Sequence, residues 1–186
     1  TAPPAIVSGK VTIDSRRPTA EEVKGLLVSI TIKVPTPGIA ATLVATSAQV
    51  NADGTFSAQV IPGGRIMRVS GGPAGAALKS VLVSGIDVTD AGFDVSTAGE
   101  RDVVVAITMQ PSTVTGQVSD SRGARVGDVS VIIFPAAERL WTLARSRVIQ
   151  TARTKPDGTF AITGLPTGEY YAAVVGTLAE GEWAAP

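Results

Sequence analysis

Asn51-Ala52-Asp53-Gly54-Thr55-Phe56 returns as Lys155-Pro156-Asp157-Gly158-Thr159-Phe160, an offset of 104 residues from Asp53 to Asp157. Asp-Gly supplies a tight turn, because glycine tolerates positive φ and the aspartate carboxylate bonds to nearby backbone amides. Each Phe then enters a strand and anchors a core. The match runs on downstream, with Pro62 and Gly64 answered by Pro166 and Gly168 at the same offset. Upstream, Val7-Ser8-Gly9-Lys10-Val11 resembles Val114-Thr115-Gly116-Gln117-Val118 at an offset of 107 residues, and the small difference fits a loop-length change. Two hairpin signatures therefore recur in the same order, once in each half of the chain.

The segments between these turns carry period-two alternation of apolar residues, the pattern of a strand with one buried face. Val7, Val11 and Ile13 alternate with Ser8, Lys10 and Thr12, and Leu26 to Val34 reads LLVSITIKV. Asp102 to Met109 and Val129 to Phe134 are equally rich in β-branched residues. Only Thr19 to Lys24 and Ala136 to Ala144 have a helical character, and both are short. Many short strands with Gly and Pro punctuation predict an all-β chain with antiparallel pairing, organised as sandwiches or barrels. A boundary at Gln110-Pro111-Ser112 divides it into module one, residues 1–110, and module two, residues 111–186, joined by a short and semi-rigid linker.

Composition narrows the chemistry. A hydrophobic fraction of 44% against 17% charge is enough apolar material for globular cores. Sixteen basic residues balance sixteen acidic ones, so nothing resembles the cationic surface that neutralises phosphates, and nucleic acid is not an expected partner. Cysteine and histidine are both absent, which removes disulfides, thiolate nucleophiles, the commonest general base and the usual zinc ligands. No Gly-x-Ser-x-Gly elbow or Ser-x-x-Lys motif supplies an activated serine. The chain is expected to be non-catalytic and to need no cofactor. No apolar run approaches the roughly 20 residues that span a bilayer, so no transmembrane segment is expected. The opening Thr1-Ala2-Pro3-Pro4 suits a processed terminus or a fragment cut at a linker.

Two stretches, VTGQVSDSRGARVGDVSVIIF (Val114 to Phe134) and TKPDGTFAITGLPTGEYYAAVV (Thr154 to Val175), resemble the carboxypeptidase regulatory-like domain. VSGKVTI, VNADGTFSAQVIPGG and LKSVLVSGIDVTDAGFDV followed by DVVVAITM give module one a looser likeness to it. The resemblance implies two tandem antiparallel sandwich modules, Ig-like or transthyretin-like, in a secreted or cell-surface protein. It also implies a structural, adhesion or carbohydrate-binding role, with no catalytic residues to carry over.

Module two falls short of that pattern. From Pro62 to Met109 is 47 residues, whereas from Pro166 to Pro186 is 20, so counterparts of Leu78 to Ser84 and Asp102 to Met109 are missing. A sandwich without its last strands exposes unpaired backbone along an edge, which calls for a further part of the chain or a strand donated by another subunit. A protein partner or self-association through an open sheet edge is therefore expected, with carbohydrate as a second possible ligand. Trp141, Tyr170, Tyr171 and Trp183 are the candidate contact residues, since aromatic rings stack on sugars and fill partner pockets. Asp87, Asp90 and Asp94, in IDVTDAGFD, are the densest acidic group and the best metal candidates, although a solvated loop explains them equally.

Overall fold

The structure, a computed structural model, describes residues 3–33, 45–141 and 147–175. It is all-β and divides into two compact units, Thr1–Pro111 and Ser112–Pro186. No helix among the described residues is long and apolar enough to cross a membrane.

Unit one is a sandwich of two sheets. The first contains β1 (Ala5–Ile13), β4 (Thr55–Val60), β6 (Ala77–Val83), β7 (Ile86–Asp87) and β9 (Glu100–Thr108), in the order β4-β1-β9-β6-β7. The second contains β2 (Leu27–Ile32), β3 (Thr46–Gln49), β5 (Gly63–Ser70) and β8 (Phe93–Val95), in the order β3-β2-β5-β8. Alternating residues of both sheets meet in one core that includes Val7, Val28, Ile30, Phe56, Met67, Val103, Val105 and Ile107. Each fully buried valine or leucine there contributes about 1.5–3 kcal/mol relative to its exposed state.

Pairing is antiparallel except between β1 and β9, which run parallel through the middle of the first sheet. A parallel neighbour cannot be reached by a hairpin, so β9 arrives from the far end of the unit. Its register shifts between the partners Val7↔Glu100 and Gly9↔Val103. The resulting bulge pushes the Val103 carbonyl over Gly9, where any Cβ would overlap that oxygen. Glycine at position 9 is thus a condition of the parallel pair.

In unit two, β10 (Thr113–Gln117) pairs with β13 (Thr159–Thr163), and β11 (Ser130–Pro135) lies between β12 (Gln150–Arg153) and β14 (Tyr170–Val175). The pairings of unit one recur here: Gly9 lies opposite Phe56 and Gly116 opposite Phe160, while Val28 meets Ala48 and Val131 meets Ala152. The turns recur atom by atom. Asp53 Oδ1 accepts bonds from the Thr55 amide at 2.9 Å and hydroxyl at 2.6 Å, and Asp157 Oδ1 from those of Thr159 at 3.0 and 2.7 Å. Gly54 and Gly158 follow at φ of +84° and +76°, a conformation that L side chains resist. The threonine hydroxyls, followed by their backbone amides, hold both carboxylates below their ordinary pKa.

Neither expected helix forms among the described residues. Thr19 and Glu22 make the reciprocal bonds of a capping box, Thr19 N–H to Glu22 at 2.8 Å and Glu22 N–H to the Thr19 hydroxyl at 3.3 Å. Gly25, at φ +72°, ends the segment before a second turn can propagate, so residues 20–25 remain turns. After Ala137 a single 3-10 turn, Glu138–Leu140, is all that forms up to Trp141.

Glu22 also accepts a bond from Arg16 at 2.9 Å, and the Arg16 guanidinium, with the Thr19 amide, lowers its pKa from 4.5 to about 2. A folded-state value below the unfolded one adds stability that is complete above about pH 4.5 and is lost as pH falls toward about 2. Denaturant melts of unit one should therefore weaken across that interval. Glu22→Gln should flatten part of the slope, and an unchanged pH profile in that variant would show that the pair does not couple to folding.

Candidate functional site

The two units differ in what lies beside their first strand. In an antiparallel ladder every second residue turns both its N–H and its C=O toward one partner. The bonds Val118 N–H to Gly158 O at 2.9 Å and Gly164 N–H to Ser112 O at 2.8 Å set that phase in unit two. Val114 and Gly116 consequently bond toward β13, while Thr113, Thr115 and Gln117 aim their backbone groups the other way. In unit one the same phase, set by Val11 N–H to Gly54 O at 2.8 Å, directs Ser8 and Lys10 at β9. Among the described residues, β10 and β13 form a sheet of two strands.

Side-chain burial follows the same division. Val7, opposite Ala58, is fully buried at 0% exposure, whereas its counterpart Val114, opposite Ile162, is 36% exposed. Met67 is 2% exposed on β5, and Ala172, in its place on β14, is exposed. Val174 shares the inner face of Val131 yet remains 51% exposed. The core of unit two is correspondingly small, built on Val131, Ile133, Ile162 and Leu165 with Phe160 and Tyr170 packed against it. An apolar edge and an uncovered inner face lie together where unit one places β9 and β6. Sequence reading did not single out Val114, Thr115 or Gly116, although their offset match to Val7, Ser8 and Gly9 was the signal.

The aromatic candidates divide between the two faces of β14. Tyr171 is 57% exposed on the outer face opposite Phe134, with ring centroids 5.8 Å apart. Trp141 meets the same Phe134 edge-on at 5.6 Å and 81°, and its indole N–H donates to the Pro135 carbonyl at 2.7 Å. It folds back onto the sheet and still leaves 45% of its surface exposed. Tyr170 points inward, because successive strand residues face opposite sides, and its hydroxyl donates to Pro166 O at 2.9 Å. It therefore does not share a surface with Tyr171. Trp183 lies outside the described residues.

The acidic candidates serve separate local roles. Asp87 accepts bonds from the Thr89 amide at 2.9 Å and hydroxyl at 2.5 Å, and buried Thr89 in turn accepts the Val81 amide at 2.7 Å. Asp90 lies 3.9 Å from Arg68, and Asp94 sits on β8 opposite Gly64. Among the described residues, no cluster of three or more acidic side chains is placed to hold a metal ion.

No protein-family model and no curated protein matches the chain. Among solved structures it is similar to the Bacillus anthracis TIE protein, at 11% identity and a TM-score of 0.37 over 93% of this chain. It is also similar to a streptococcal ancillary pilin, at 15% identity and 0.35 over 92%. A DUF3823 family protein from Parabacteroides merdae aligns at 14% identity and 0.38 over 88% of this chain and 81% of its own. The chain spans 28% of the TIE protein structure and 53% of the pilin structure.

The contrast in burial yields a paired measurement. Val7→Ser should cost unit one about 2–3 kcal/mol in urea melts, whereas Val114→Ser should cost unit two under about 1 kcal/mol, because much of that side chain is already in water. Equal losses would mean that Val114 is covered in solution.

Proposed function

We propose that this chain is a non-catalytic structural part of an extracellular or cell-surface protein, built from two copies of one carboxypeptidase regulatory-like sandwich, and that it binds another polypeptide through the open edge of β10. Val114 carries this reading: it occupies the position of fully buried Val7 and faces its own core while 36% exposed. Burying such an edge satisfies backbone groups and apolar surface together, the physics of strand addition. The repeated registers and turns of the two units support the common module. The absence of histidine and cysteine from the sequence supports the non-catalytic role.

A panel of synthetic peptides copying β1, β6, β9 and β14, added to the full chain, tests the edge. At least one should bind saturably and slow amide exchange at Thr113, Thr115 and Gln117. Thr115→Pro should abolish the effect without unfolding unit two, since the Thr115 N–H points away from β13. Binding by none of the four peptides would sink the reading.

The outer face of β11 and β14 favours a second, carbohydrate-binding role, because Phe134, Trp141 and Tyr171 form one contiguous aromatic group. On a glycan array, Trp141→Ala and Tyr171→Ala should each lose about tenfold or more in signal, as expected for a ring worth 1–2 kcal/mol. Signals that survive both substitutions would remove the aromatic platform from consideration.

A further inference from the structure

We propose that the strand accepted by β10 enters parallel to it and carries the alternating β-branched pattern of β9, with Gly116 seated under its bulge. This inference rests on the edge reading above and adds the direction, register and chemistry of the occupant. Unit one displays the arrangement in full: β9 lies parallel to β1, and its Val103, Val105 and Ile107 are buried to 1%, 0% and 0% exposure. The partner is thus an extended segment with valine or isoleucine at every second position, supplied by another polypeptide.

Gly116 decides between parallel and antiparallel entry. Gly9 is needed because the β9 bulge carries the Val103 carbonyl into the space above it. Gly116 occupies the same place opposite Phe160, and there the phenylalanine ring fills the space: a Cβ at position 116 would lie 2.5 Å from Phe160 Cζ. Phe56, by contrast, is 2% exposed in the finished core and is not among the atoms nearest Gly9. An arriving strand with the β9 bulge displaces the Phe160 ring from Gly116 and sends it toward the core, as Phe56 already stands. Strand addition at the edge is therefore coupled to a change of ring position inside unit two.

The remaining requirements of the occupant are met on the same surface. Thr113, Thr115 and Gln117 present alternate N–H and C=O groups to the open side, in the phase that Ile6, Ser8 and Lys10 present to β9. Val114 and Val174 supply half-exposed apolar contacts on the inner faces of the two sheets. The outward side chains of β10 are uncharged, so the edge lacks the lysine or inward charge that natural sheets use to repel incoming strands.

The test uses the isotopically labelled full chain and a peptide of sequence Glu100–Thr108, carrying a nitroxide at its amino or its carboxyl end in separate samples. The amino-terminal label should broaden Thr113 more than Gln117, and the carboxyl-terminal label should do the reverse. The Phe160 ring resonances should move with the same saturation curve, and exchange of the Thr115 amide should slow about tenfold or more. A scrambled peptide of the same composition should not bind, and Thr115→Pro should lose binding while the chain stays folded.

The opposite broadening pattern, an unmoved Phe160 ring, or equal binding of the scrambled peptide would overturn the inference. Binding by a β1, β6 or β14 peptide but not by the β9 peptide would overturn it and leave the edge reading standing. Failure of every peptide would overturn both. Slow exchange of Thr115 that depends on protein concentration without peptide would also overturn it, since the occupant would then be a second copy of this chain.

Discussion

Each unit depends on one strand pair closed by an Asp-Gly-Thr turn. The aspartate carboxylate captures the threonine amide and hydroxyl, the glycine takes positive φ, and the carbonyl of that glycine accepts the bond that starts the ladder to the first strand. Once that phase is fixed, alternate residues of the first strand face the core and alternate backbone groups face away from the pair. Everything that distinguishes the two units follows from what meets those outward groups.

In unit one they meet β9, which converts the first strand from an edge into the centre of a sheet and covers β5 from across the core. Val7 and Met67 are closed from water as a result. In unit two the same strand pair stands at the rim of a two-stranded sheet among the described residues, and the residues corresponding to Val7 and Met67 are accessible. The difference does not lie in the quality of the strand, since Val114-Thr115-Gly116 is as suited to pairing as Val7-Ser8-Gly9. It lies in a long-range partner, and the energetic consequence is that unit two holds apolar surface and backbone hydrogen-bonding capacity in one place.

Much of this was legible from residue order alone. The repeat around Asp53 and Asp157 located the hairpins, and period-two alternation in Leu26 to Val34 and Val129 to Phe134 marked β2 and β11, because side-chain alternation is a local property of a strand. The Thr19-x-x-Glu22 signal was read correctly as a cap, but a cap cannot sustain a helix that Gly25 ends within six residues. Treating Tyr170 and Tyr171 together as contacts overlooked the same alternation that identified the strands: neighbours in a strand face opposite sides. Phe134 escaped notice because its role requires Trp141 to fold back upon it, a contact set by an indole bond to Pro135.

The sequence by itself determined the β class, the turn chemistry, the two hairpin signatures and the missing chemistry of histidine and cysteine, all of which depend on residues close together along the chain. Tertiary structure alone decided that β9 runs parallel to β1, that Gly9 exists to admit its bulge, and that Phe160 occupies the corresponding space above Gly116. These are contacts between segments tens of residues apart, and no local pattern encodes them: a strand's alternation tells which face is buried but not which strand lies beside it, nor in which direction that neighbour runs.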